Sequence, residues 1–218
     1  MKHLSQDKYT IAWFKLAECV SRGEKERAFG VYRLLSHSID NHAFACQLQG
    51  DLYFSFDDIE SAIAKYFDAA HLYEAEDRYL EAAAVYENVL SLRPNIERYR
   101  ERIIALYQRL HIPSKVLHHS MQLIEQCMHE HKFKEAQLHL AALDDLVAPE
   151  LVAEIYEKFI LVAIENGDVH VDQIEKSLKG LIDIYMTHEL NKRMRQFLSK
   201  LEVVDPPWHQ KASAFLKG

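Results

Sequence analysis

Three groups of side chains in this 218-residue chain have types and spacings suited to chemistry. Arg98, Tyr99, Arg100 and Arg102, followed by Tyr107 and Arg109, make a basic and aromatic run. Guanidinium groups hold carboxylates through paired hydrogen bonds, and spacings of two, four and seven are read here as lining one side of a helix. Just upstream, Glu74, Glu76, Asp77 and Glu81 concentrate negative charge suited to a basic partner. These two groups are the expected partner-binding residues, although the arginines have a competing role in neutralising the acids before them. The third group is Cys127-Met128-His129-Glu130-His131, with His118-His119 about two helical turns earlier. In a continuous helix Cys127 and His131 share a face, and a thiolate with an imidazole suits a soft divalent metal. Imidazoles near a helix end also satisfy its last carbonyls, so no metal is expected. His118, Cys127, His129 and His131 are kept as the alternative metal-dependent set.

Other routes to catalysis are missing from the sequence. The pairs Asp57-Asp58 and Asp144-Asp145 read as caps in interhelical turns rather than as acid/base pairs. Six glycines, at 23, 30, 50, 167, 180 and 218, allow neither a phosphate-binding loop, nor Gly-x-Gly-x-x-Gly, nor Gly-x-Ser-x-Gly. No catalytic residue and no cofactor is expected, and the chain reads as something other than an enzyme.

Charge and composition narrow the partner. The formal charge is −7, and residues 57–95 hold nine acids against Lys65, Arg78 and Arg93. Such a balance disfavours nucleic acid. The longest stretch without Asp, Glu, Lys or Arg is the ten residues Asn41 to Gly50, too short for a membrane span. The opening residues Met1 to Lys8 carry no apolar signal segment, and Cys19, Cys46 and Cys127 form no Cys-x-x-Cys. A cytoplasmic protein with reduced thiols is the expectation. Thirteen histidines would reverse the net charge if all were protonated, so electrostatics should be sensitive below neutral pH.

The elements that must position these residues are helices. Glycine and proline total only eleven residues, Leu and Ala outnumber β-branched residues, and apolar positions recur at spacings of three and four. Tyr66, Ala69, Ala70 and Tyr73 form one stripe; Ala82, Val85, Tyr86, Val89 and Leu90 form another. The periodicity predicts helices over 8–22, 25–38, 43–55, 59–75, 78–92, 97–110, 113–129, 132–146, 149–165, 170–186, 189–201 and 207–216. Arg22-Gly23-Glu24 and Asn166-Gly167-Asp168 mark turns, Pro94, Pro113 and Pro149 mark boundaries, and Asp57 with Glu60 reads as an N-cap pair. Short connections make successive helices antiparallel.

A repeat runs through these helices. Gly50-x-x-Tyr53 with Ala62-x-x-x-Tyr66 recurs as Ala70-x-x-Tyr73 with Ala82-x-x-x-Tyr86 and then Pro94, while Trp13-x-x-Leu16-Ala17 with Ala28-x-x-x-Tyr32 follows the same order upstream. The chain here resembles the tetratricopeptide repeat (TPR) family, whose Trp, Leu-Gly, Tyr, Ala, Phe, Pro pattern spans two helices. The match is clearest over 9–96; residues 97–201 read as degenerate helical repeats, with Ile124 and Cys127 where Gly and Tyr are expected, and 207–216 as a capping helix. The two best registers, 43–76 and 63–96, overlap on one helix. The resemblance implies one all-α domain over 1–218, with about twelve helices in antiparallel pairs stacked as a right-handed α-solenoid. It also implies a scaffold that holds a peptide or helix of another protein in a concave groove. A secretion chaperone or regulatory protein of the same repeat class differs only in its partner. The capping helix, with Trp208 and Phe215, leaves both monomer and homodimer open.

Overall fold

The computed structural model describes residues 3–143, 147–167 and 170–216. Twelve helices and no strand occur among the described residues: α1 (His3–Ser21), α2 (Lys25–Ser36), α3 (His42–Ser55), α4 (Ile59–Ala75), α5 (Tyr79–Leu92), α6 (Glu97–Arg109), α7 (Pro113–His129), α8 (Phe133–Ala141), α9 (Pro149–Asn166), α10 (Val171–Thr187), α11 (Asn191–Val204) and α12 (Pro206–Phe215). All twelve predicted helices are present. Helix α8 ends at Ala141 rather than continuing to 146, and the pair Asp144-Asp145 lies outside the described residues.

The turns explain the scarcity of glycine. Gly23, Asp57, Asp77, His111, His131, Gly167 and Glu189 all adopt positive φ between 53° and 72° just past a helix end. After five of them the next amide reaches back five residues to a helix carbonyl: Glu24 to Cys19, Asp58 to Tyr53, Arg78 to Tyr73, Lys132 to Cys127 and Leu190 to Tyr185, at 2.8–3.0 Å. That bond satisfies an otherwise orphaned carbonyl and folds the chain back into the next helix. Asp57 therefore ends α3 instead of capping α4. The cap is Asp58, whose carboxylate accepts the Ser61 amide at 3.4 Å. Asn41 and Asp205 cap α3 and α12 in the same manner, and prolines begin α7, α9 and α12.

The chain separates into two compact units, one ending at His111 and the other beginning at Ile112. In the first, each helix packs on its chain neighbours. Fully buried Ala28, Ala43, Ala62, Ala69, Ala70, Ala82 and Ala83 let the helices approach closely, and Tyr32, Tyr66, Tyr73, Tyr86, Tyr99 and Tyr107 fill the remaining space. Both stripes, Tyr66 to Tyr73 in α4 and Ala82 to Leu90 in α5, are buried, and α4 packs on α3 as well as on α5. Gly50 belongs to the first contact: a Cβ there would stand 2.7 Å from the Tyr66 ring.

The second unit is built from three hairpins, α7/α8, α9/α10 and α11/α12. Helices two places apart also touch, α7 with α9, α8 with α10, α9 with α11 and α10 with α12, which stacks the hairpins in layers. Its interior is bulkier, with Leu123, Ile124, Phe133, Leu140, Phe159, Ile160, Leu178, Leu181, Tyr185, Phe197 and Leu201. Larger side chains replace the alanine and tyrosine of the first unit, which is why the repeat pattern fades there.

Candidate functional site

A groove of about 630 Å³ opens in the second unit between α8 and α10. Lys134, Gln137, Leu138 and Ala141 line one wall, at the i, i+3, i+4, i+7 spacing that shares a helix face. Gln173, Lys176, Ser177 and Gly180 repeat that spacing on the other wall, joined by Lys179 and Asp183, and Tyr156 of α9 contributes the floor. The Gln137 amide nitrogen donates across to the Gln173 carbonyl at 3.1 Å and to the Ser177 hydroxyl at 2.8 Å, fixing one wall against the other. Leu138 is 69% exposed above this bridge. Lys134 and Lys176 have no carboxylate within ion-pair reach among the described residues, while the Lys179 ammonium lies 4.8 Å from the Phe215 ring centre. The arrangement offers an aliphatic contact flanked by cations and no nucleophile with an adjacent base. It can hold a chain segment.

The residues singled out by sequence are placed differently from one another. Arg98, Arg102 and Arg109 share one exposed side of α6, but Arg100 does not. Two residues along a helix turn the side chain through about 200°, and Arg100 is buried, donating from Nη2 to the Pro94 carbonyl at 2.8 Å. Desolvation there pushes its guanidinium pKa down. Tyr99 and Tyr107 are also buried. Tyr107 donates to Glu87 at 2.9 Å, and burial with that bond pushes its pKa up to about 12. Arg98 lies over the Tyr99 ring at 4.7 Å, and Arg109 over the Tyr79 ring at 5.3 Å.

The basic and acidic groups are joined rather than separate. Arg102 forks onto Glu74, with Nε to Oε1 at 3.0 Å and Nη2 to Oε2, and Tyr86 donates to the same carboxylate at 3.0 Å. Glu76 and Glu81 both pair with Arg78, at 3.3 and 3.0 Å, and Asp77 accepts from the Tyr79 hydroxyl. Arg78 itself lies 4.5 Å from the Tyr73 ring centre. Neutralisation within the fold thus claims most of these charges.

The alternative metal set does not come together. Helix α7 stops at His129 and His131 takes positive φ beyond it, so the shared face with Cys127 disappears. Cys127 is buried, whereas His118, His129 and His131 lie toward the surface. His129 and His131 line a shallow pocket with Glu125 and Lys158, but among the described residues no three His, Cys, Asp or Glu side chains gather as a metal site would require.

A smaller pocket of about 230 Å³ lies in the first unit, lined by Asp51, Phe54, Tyr66, Asn88, Ser91 and Leu92 of α3, α4 and α5. Neither pocket announces itself locally in the sequence, because each draws isolated residues from several helices. The one available signal is the repeated wall pattern of 134, 137, 138, 141 and 173, 176, 177, 180.

No protein-family model and no curated protein matches the chain. Solved structures with similarity include BtubC (BKLC) from P. vanneervenii, at 16% identity and TM-score 0.41, covering 80% of this chain and 78% of that one. A MamA RS-1 ArsTM double mutant aligns at 14% identity and TM-score 0.28, over 84% and 97% of the two chains. A tetratricopeptide repeat protein from Parabacteroides merdae ATCC 43184 aligns at 14% identity and TM-score 0.30, over 97% and 91%. At these scores the likenesses add nothing to the architecture, which stands on the helix pairs and buried motif residues themselves. Among the described residues no helix is long and apolar enough to cross a membrane. The chain is an all-α protein of antiparallel helix pairs, similar to the tetratricopeptide repeat proteins.

Proposed function

We propose that this protein is a non-catalytic interaction module that holds a peptide or helix of another protein, with the α8/α10 groove as its principal contact. The observation that carries the reading is the exposed Leu138 set between Lys134 and Lys176, whose ammonium groups have no carboxylate in reach among the described residues. An aliphatic side chain left in water gains from burial by a partner, at about 25 cal/mol per Å². Uncompensated lysines beside it favour partner carboxylates and speed their approach. The Gln137 bridge holds both walls in place before binding, so little ordering is required when a partner arrives. In the first unit Arg98 and Arg109 lie over rings and Arg102 is forked to Glu74, so that face is a lesser contact. No disulfide joins Cys19, Cys46 and Cys127, which suits work in the cytoplasm.

The test is a groove variant combining Leu138→Asp and Lys176→Glu, both at positions open to solvent. Helix content by circular dichroism should be unchanged, and partner proteins captured by the wild-type chain should be lost. Retention of the same partners by the variant would remove the groove from the proposal.

A further inference from the structure

We propose that the pocket between α3, α4 and α5 of the first unit receives a basic side chain, an ammonium or guanidinium group, from a partner protein. Asp51 is the anchor. Its Oδ1 accepts the Tyr66 hydroxyl at 2.7 Å, and its second carboxylate oxygen has no partner among the described residues. No cation among the described residues answers this charge. Desolvation is the main influence on the carboxyl and raises its pKa, opposed only by the Tyr66 bond. Neighbouring acids in this unit behave differently: Glu74 has Arg102, Glu76 and Glu81 have Arg78, and Asp58 has Lys25. A partly desolvated carboxylate with one hydrogen-bond donor and no counter-charge is the group that gains most when a cation arrives.

The remaining walls suit the rest of such a side chain. Phe54 is 46% exposed and, with Leu92, offers an apolar surface to an aliphatic stem. Its ring face also attracts a cation. Asn88 and Ser91 supply polar atoms on the α5 side. About 230 Å³ is room for one long side chain and too little for a folded element.

The proposal rests on the protein-binding reading but not on the α8/α10 groove. Its test uses the full chain and a fluorescein-labelled decapeptide alternating lysine and alanine, with glutamine replacing lysine in a control peptide, followed by anisotropy. The lysine peptide should bind saturably and the glutamine peptide should not. Asp51→Asn keeps an acceptor for Tyr66 and should weaken binding about tenfold or more. Asn88→Lys, at an exposed position, places a cation in the pocket from within and should weaken binding equally. The double variant Glu76→Gln with Glu81→Gln should change affinity by less than about threefold, because those acids lie outside the pocket. Loss in that double variant equal to the loss in Asp51→Asn, or no saturable binding of the lysine peptide, overturns the proposal. Spermidine competing as tightly as the peptide would assign the pocket to a free polyamine and overturn the protein partner. Partner capture at the groove is read on its own variant, Leu138→Asp with Lys176→Glu, and lysine-peptide anisotropy on Asp51→Asn, so failure of this pocket and failure of the groove are read separately.

Discussion

Four tyrosine hydroxyls donate to carboxylates on earlier helices: Tyr66 to Asp51, Tyr86 to Glu74, Tyr107 to Glu87 and Tyr185 to Glu157, at 2.6–3.0 Å. Burial is the first cause that raises all four phenol pKa values, Tyr107 to about 12. The unfolded chain loses these protons first, near the ordinary value of about 10. Above that pH the folded state binds more protons, so stability is complete below about pH 10 and falls as pH climbs through the raised values. Urea unfolding between about pH 9.5 and pH 11.5 should show a falling midpoint, with a flatter slope in Tyr107→Phe. Two glycines supply an opposed pair of predictions. Gly50→Ala drives a methyl against the buried Tyr66 ring and should cost about 1–3 kcal/mol in thermal or urea unfolding. Gly30 lies inside α2, where an added Cβ meets nothing within 4 Å, so Gly30→Ala should raise stability by about 0.5–1 kcal/mol. The tyrosine positions are legible in the sequence as a repeat, but their carboxylate partners are not, since Asp51, Glu74 and Glu87 stand at unequal distances upstream. Arg100 escapes sequence reading for a different reason: closeness along the chain is not a shared face, and a residue midway between Arg98 and Arg102 falls on the opposite side of the helix.

Helices are the most legible elements, since the three-and-four spacing persists even where the repeat motif fails. Turn geometry is not legible, because glycine is the usual sign of positive φ, and Asp57, Asp77, His111, His131 and Glu189 adopt it without being glycine. A left-handed residue with a Cβ costs about 1–2 kcal/mol, less for Asp. Asp57→Gly and Glu189→Gly should therefore each stabilise the protein by about 0.5–1 kcal/mol after the extra freedom of the unfolded chain is subtracted. Unchanged or lower melting temperatures in both would show that the loops tolerate their conformation without strain. The carbonyl that receives the returning amide belongs to Cys19, Tyr53, Tyr73, Cys127 or Tyr185. Cysteine thus stands at Cys127 where the family motif expects tyrosine, in a turn of unchanged geometry.

Each compact unit contains one of the two tryptophans, Trp13 in α1 and Trp208 in α12. Trp13→Phe and Trp208→Phe therefore leave a single tryptophan reporter in one unit or the other. Stability in helical arrays is set by each element and its neighbours. Gly50→Ala should accordingly lower the urea midpoint reported by Trp13 more than that reported by Trp208; equal shifts would show that the units unfold as one. The tyrosine bridges bear on synthesis as well as stability. They span 15, 12, 20 and 28 residues, and in each the carboxylate is made before the tyrosine. Every bridge can close once the helix bearing its hydroxyl has emerged, without waiting for the C-terminus. Low sequence separation favours rapid folding, so the nascent chain can lock its helices in the order in which they are translated.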